Sequence, residues 1–337
     1  MNERVLICGG RRWDQAIIPI GRGFLKLGCA VRYLPTRRAE THCDPLDKVH
    51  DVFARIMREF HPTVLFWVMC KQDCPVGLIP YLKEVNPELR AVFHSFDDPH
   101  QIAAGPPECI PDFDAAITCC EGSVKWYEDQ GVKAKCFWPP PCVDLHGHAV
   151  ANPGERCDLS FVGTNVYPAD RFPDCLAPRS DILRKIADLG KLHIYGPWGE
   201  RRLDWGGEYG VPELKSCWRG FRRYEELPGV YAASRINLSS HVCPQGYQYL
   251  NERTVNCMGS GGFVLVDRVN GIEEIFKPGV HLDTWATLDE LRTKASYWLK
   301  HEDKRQAVAA AGRQLTLRRF SNVEHAGAVL NLCGVKR

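Results

Sequence analysis

The sequence predicts an α/β protein made of two doubly wound parallel-sheet domains facing one another across a cleft. Three observations carry that reading. Short apolar runs recur along the chain and end on glycine or an acid, as buried parallel strands do. Helical stretches separate these runs, and strands alternating with helices give a parallel sheet covered on both faces. A proline-rich break, Phe137-Trp138-Pro139-Pro140-Pro141-Cys142-Val143-Asp144, splits the series in two. Three prolines cannot sit in a sheet centre, so this segment is a stiff connector. At 337 residues the chain also exceeds one ordinary core.

The elements follow in order. Arg4-Val5-Leu6-Ile7-Cys8 is a first strand, closed by Gly9-Gly10. A helix is expected over residues 17–27, ended by Gly28, and Ala30-Val31-Arg32-Tyr33-Leu34 is the second strand. The alternation continues with a helix at 47–60, a strand at 63–69, a helix at 77–85, strands at 91–94 and 115–118, and a helix at 123–130. After the prolines the chain is polar to Arg156, which suits a domain boundary. The second series has strands at 159–162, 192–195, 236–238 and 263–266. Its helices are expected at 181–189, 224–233 and 288–299, with closing helices at 304–317 and 323–332. The expected division is 1–150, then 151–315, then a helical segment 316–337 that packs back on the first domain. Ligands of such folds bind outside the carboxyl ends of the strands.

Composition narrows the class. With 45% hydrophobic and 25% charged residues the chain reads as globular, and no apolar run reaches the roughly 18 residues of a membrane span. Met1-Asn2-Glu3-Arg4 leads directly into a strand without a signal-peptide core, so the 16 scattered cysteines read as reduced thiols of a cytoplasmic protein. A net charge of +2 announces no nucleic-acid partner by itself.

Several motifs bear on chemistry. Gly-x-Gly-x-x-Gly is absent after the first strand, which weighs against a dinucleotide site, although Arg37-Arg38 would suit an NADP 2′-phosphate. Asp112-Phe113-Asp114 precedes a strand and reads as a turn rather than a metal site, and the cysteines lack zinc spacing. His94-Ser95-Phe96-Asp97-Asp98-Pro99-His100 follows a strand. His94, Asp97 and Asp98 are candidate general bases, although Asp-Asp-Pro is equally good turn chemistry. In the second half, Gly163-Thr164, Arg179 and Tyr195-Gly196-Pro197-Trp198 stand at strand ends. Tyr249-Leu250-Asn251-Glu252-Arg253 leads into a helix, and Gly259-Ser260-Gly261-Gly262 precedes a strand that ends on Asp267. Glycine turns with arginines and aromatics suit a nucleoside diphosphate held by backbone amides and guanidiniums.

In order and spacing these segments resemble the CgeB-like (spore-maturation) group of GT-B glycosyltransferases. The resemblance runs through Phe96-Asp97-Asp98-Pro99, Trp138-Pro139-Pro140-Pro141-Cys142-Val143-Asp144 and Asp158-Leu159-Ser160-Phe161-Val162-Gly163-Thr164. It continues in Asn251-Glu252-Arg253, Gly262-Phe263-Val264-Leu265-Val266-Asp267 and Gly271-Ile272-Glu273-Glu274-Ile275-Phe276-Lys277-Pro278-Gly279. It implies two Rossmann-like domains, a nucleoside-diphosphate sugar (UDP-sugar type) held mainly by the second, and no obligatory metal. Arg253 matches the family's arginine before the glycine turn. Asn256 falls where the family has a glutamate that contacts the donor ribose, and Gln248 where retaining relatives carry the other glutamate of an E-x7-E motif. Residues 166–178 read as an insertion.

The resulting expectation is a glycosyltransferase acting on a hydroxyl acceptor. Its donor site would draw on Gly163, Thr164, Arg179, Tyr195, Trp198, Gln248, Asn251, Arg253, Asn256 and Gly261. Arg11, Arg12, Trp13, Arg37 and Arg38 follow the first two strands and would line the acceptor side. Arginines beside an aromatic suit phosphates and exposed bases, so DNA carrying a hydroxymethylated base is the sharpest acceptor, against a small hydroxyl compound. The rival readings are an NADP-dependent oxidoreductase and a non-catalytic GT-B-like binding protein.

Overall fold

The computed structural model describes residues 3–9, 17–34, 46–69, 74–96, 98–103, 105–142, 155–165, 174–201 and 204–335. The chain divides into two compact units, Met1–Pro140 with Phe320–Arg337, and Pro141–Arg319. Each is a parallel sheet with helices, the α/β class expected.

The first unit holds β1 (Arg4–Gly9), α1 (Ile17–Lys26), β2 (Ala30–Leu34), α2 (Leu46–Phe60), β3 (Val64–Met69) and α3 (Leu78–Val85). It continues with β4 (Arg90–Ser95), α4 (His100–Ala103), β5 (Ala115–Thr118), α5 (Val124–Asp129) and β6 (Lys133–Cys136). The strand order is β2-β1-β3-β4-β5-β6, parallel throughout. Valine, leucine and phenylalanine of β1, β3 and β4 point into both layers, which is why these strands read as unbroken apolar runs. The edge strand β6 is Lys133-Ala134-Lys135-Cys136, with both lysines exposed. That composition protects a sheet edge and hides the strand from an apolar-run search.

The second unit holds β7 (Cys157–Val162), α6 (Arg179–Ile186), β8 (Leu192–Tyr195), α7 (Leu227–Ala233), β9 (Ser234–Ser239) and α8 (Glu252–Gly259). Then come β10 (Val264–Asp267), β11 (Asp283–Trp285), α9 (Leu288–Lys300) and α10 (Glu302–Arg319). The order is β11-β10-β9-β7-β8, again parallel. The chain then re-enters the first unit as α11 (Asn322–Leu332), which lies on α1 so closely that a side chain at Gly23 would meet the Asn322 carbonyl. Ser321 caps α11 by accepting from the Glu324 amide.

Two candidate bases are part of this scaffold. Asp98 is fully buried, and its carboxylate accepts hydroxyls from Ser95 at 2.8 Å, Thr118 at 2.7 Å and Tyr127 at 2.8 Å. His94 is equally buried, its Nδ1 3.1 Å from Nε2 of His325. Both are buried and tie core elements together. Asp97, Arg11, Arg12, Trp13, Arg37 and Arg38 lie outside the described residues. Asp114 likewise serves the fold, accepting the Ala91 amide at 2.7 Å and Lys83 at 3.1 Å.

Candidate functional site

The second unit gathers its chemistry at the carboxyl edge of its sheet. β7 ends at Val162 and passes into Gly163, whose amide bonds the Tyr195 carbonyl at 2.9 Å. The next strand end is Gly196, where a Cβ would overlap the Gly163 carbonyl; both glycines have positive φ. The two strand-end turns can approach this closely only because neither carries a side chain.

Two guanidiniums converge on this turn. Arg179, at the start of α6, is 3% exposed, with its Cζ 5.3 Å from the centre of the Phe161 ring. Its Nη1 donates to the Thr164 carbonyl at 2.5 Å and its Nε to Ser240 at 3.3 Å. Arg253, in the first turn of α8, places its Cζ 4.7 Å from the same ring centre. Its Nε donates to the Val162 carbonyl, and a side chain at Gly163 would collide with its Nη2. Its buried Nη1 has no hydrogen-bond partner among the described residues. Two cations lie against one aromatic ring, and one keeps an unused donor. That arrangement is costly unless an anion completes it.

Beside them lies a hydrogen-bonded pair that sequence reading left out. His241 follows β9 and Asp267 ends β10, the neighbouring strand. Asp267 accepts the His241 amide at 2.7 Å and Nδ1 at 2.6 Å, with both residues buried. The ring is thereby fixed through Nδ1, and Nε2 has no partner among the described residues. The signal was present in the sequence: Ser239-Ser240-His241 leaves one strand, and an acid ends the next.

The other expected donor residues are dispersed. Asn251 caps α8 by accepting the Thr254 amide at 3.0 Å and holds the Ser240 carbonyl through Nδ2 at 2.8 Å, so it orders the arginine's helix. Asn256 is 2% exposed, and its Oδ1 accepts the Cys142 amide at 2.7 Å. It anchors the proline connector. Tyr195 is 3% exposed, and burial pushes its hydroxyl up to about 12. Arg222 lies over its ring at 5.3 Å, so that face is not open to a base. Trp198 packs against Trp218 at 5.7 Å between ring centres. Gln248 stands in the loop after β9, its amide bonded to the Asn270 carbonyl at 2.7 Å and its Nε2 3.1 Å from Glu274. Gly261 needs its positive φ of 84° to end α8, but it stands at the amino edge of the sheet, away from Gly163.

Among the described residues no group of three or more histidines, cysteines, aspartates or glutamates could hold a metal ion, the cysteines are free, and no helix is long and apolar enough to cross a membrane.

Comparison with known proteins agrees with this architecture. The glycosyl transferase-like family model matches residues 179–331. Anabaena HepE, solved with UDP and glucose, superposes with a TM-score of 0.66 at 13% identity, covering 99% of this chain and 100% of that one. Sucrose-phosphate synthase from Thermosynechococcus elongatus gives 0.66 at 12% identity, covering 98% of each chain. A glycosyltransferase from Rickettsia africae gives 0.64 at 10% identity, again covering 98% of each. No curated protein matches the sequence. The fold is thus the GT-B fold of two parallel-sheet α/β domains. Within it, residues 179–331 are the part of the chain that matches the glycosyl transferase-like family model.

Proposed function

We propose that the protein moves a sugar from a nucleoside-diphosphate sugar, of the UDP type, to a hydroxyl acceptor, and that it does so as a CgeB-like member of its class. The observation that carries this reading is the pair Arg179 and Arg253 on the Phe161 ring beside the Gly163 turn. Leaving-group chemistry requires the diphosphate charge to be neutralised as the glycosidic bond breaks. The two guanidiniums supply donors for that without a metal. His241, oriented by Asp267, joins them as a donor-side candidate. The UDP complex of HepE supports the same class of donor.

A thermal-shift panel of nucleotide sugars, followed by a transfer assay, tests the reading. A matching donor stabilises the folded state by mass action. Donor binding without transfer or hydrolysis would instead favour a non-catalytic binding protein, and a shift with NADP alone an oxidoreductase. Activity is expected to persist in excess EDTA; complete loss restored by Mn²⁺ would overturn the metal-free account.

The finer acceptor proposal is DNA carrying a hydroxymethylated base, resting on Arg11, Arg12, Arg37 and Arg38 in the sequence. Duplex binding should weaken steeply with salt, and replacing these four arginines should flatten the slope by about one unit for each phosphate no longer neutralised. No binding at low salt removes DNA and leaves a small hydroxyl compound.

A further inference from the structure

The glycine turn that ends α8 builds a different feature. At the amino edge of the second unit's sheet lies a cavity of about 640 Å³, reached by Gly261, by Cys157 and Ser234 at the starts of β7 and β9, and by one side of α10. It is not the donor site: β7 presents Cys157 to this cavity and Gly163 at its opposite end.

The charge in it is unbalanced. Arg156, Lys191, Arg235, Arg305 and Arg313 line the cavity against only Asp158 and Glu302. Arg235 engages both acids, at 2.9 Å and 3.0 Å, and Glu302 also receives Arg305. Lys191 is paired with Glu155 at 2.5 Å. Both acids are then committed, and Arg156 and Arg313 have no carboxylate partner among the described residues. Arg313 uses Nε on the Gly259 carbonyl at 3.3 Å, which aligns its guanidinium with the turn. Arg305 is only 5% exposed, and its Nε has no hydrogen-bond partner among the described residues. A concave surface with surplus guanidiniums focuses positive potential, and a buried, unused guanidinium donor is costly until an acceptor meets it.

We propose that this cavity is a second anion site, for a small, multiply charged anion of the phosphate class: pyrophosphate or the phosphate chain of a nucleotide. The proposal is independent of the donor reading, since it uses other residues at the other sheet edge. Calorimetric titration of the full chain with sodium pyrophosphate at low ionic strength tests it. A binding event at the cavity is expected, and a second one where the donor site also takes pyrophosphate. Arg156→Gln with Arg313→Gln should weaken the cavity event about ten-fold per guanidinium removed and leave any donor-site event intact. Arg156→Gln alone changes an exposed side chain, so the test survives if the double variant folds poorly; it should weaken the same event alone. Arg253→Gln should spare the cavity event, so failure of the donor reading would not be mistaken for failure here. A parallel titration with ATP separates the sources: tighter binding than pyrophosphate assigns a nucleotide, equal or weaker binding the inorganic anion. Pyrophosphate binding that is absent, or unchanged in both Arg156 variants, overturns the site.

Discussion

Arg253→Ala is expected to lower kcat/KM for sugar transfer by about 10²–10³-fold, the cost of removing a preorganised donor from a developing anion. Among the described residues the side chain makes one hydrogen bond to the fold, from Nε to the Val162 carbonyl, and lies against Phe161; its Nη1 has no partner there. The larger part of its value is therefore expected in ligand binding rather than in packing. Losing the carbonyl bond costs about 1 kcal/mol of stability, a shift of a few degrees in melting temperature. Arg253→Lys is the sharper companion: it keeps the charge but loses the planar fork that spans the carbonyl and the ligand together, and it should recover only part of the rate. UDP affinity should fall in parallel, because product and transition state share the diphosphate. Near-normal turnover in Arg253→Ala would remove this arginine from the site.

Much of the fold was legible because its strands are buried on both faces. Apolar runs such as Val5-Leu6-Ile7 and Val264-Leu265-Val266 have few alternatives to a parallel sheet. The edge strand β6 escaped for the opposite reason, being half lysine. The site was legible only in part. Arg253 and Gly261 are close in sequence but stand at opposite ends of α8, roughly 12 Å apart at 1.5 Å per residue. In a parallel sheet the turn entering a helix and the turn leaving it lie at opposite edges, so only the first faces the donor side. Asp98 follows a strand end, as a base would, yet three hydroxyls claim its carboxylate. Nothing in a linear sequence tells a satisfied acid from a free one. His241 was overlooked because its partner Asp267 is 26 residues away and becomes adjacent only when β9 and β10 pair.

The first unit is expected to lose stability on mild acidification, through His94 and His325. Both are fully buried, among Phe66, Phe96 and Phe137. Burial drives both below the ordinary histidine value; His94 is lowered further by the neighbouring His325, and His325 reaches about 3. The nitrogens that face one another at 3.1 Å need one donor and one acceptor, so the doubly protonated pair would set two donors head to head. The unfolded chain takes up protons near 6.5, whereas the folded chain resists them. Stability is therefore complete above about pH 6.5 and falls as pH drops toward the folded values, by about 1.4 kcal/mol per pH unit for each histidine. Between pH 6.5 and 5 each histidine that stays neutral in the fold costs roughly 1.6 kcal/mol, against a typical domain's 5–15 kcal/mol. His193 and His281 are also lowered, so the total slope is not diagnostic of this pair. The diagnostic quantity is the difference between chains: His325→Leu should be less stable than the wild type at pH 7 but flatter by about one histidine's slope between pH 7 and 5. Denaturant unfolding at the two pH values measures it, and an unchanged slope in that variant would sink the account.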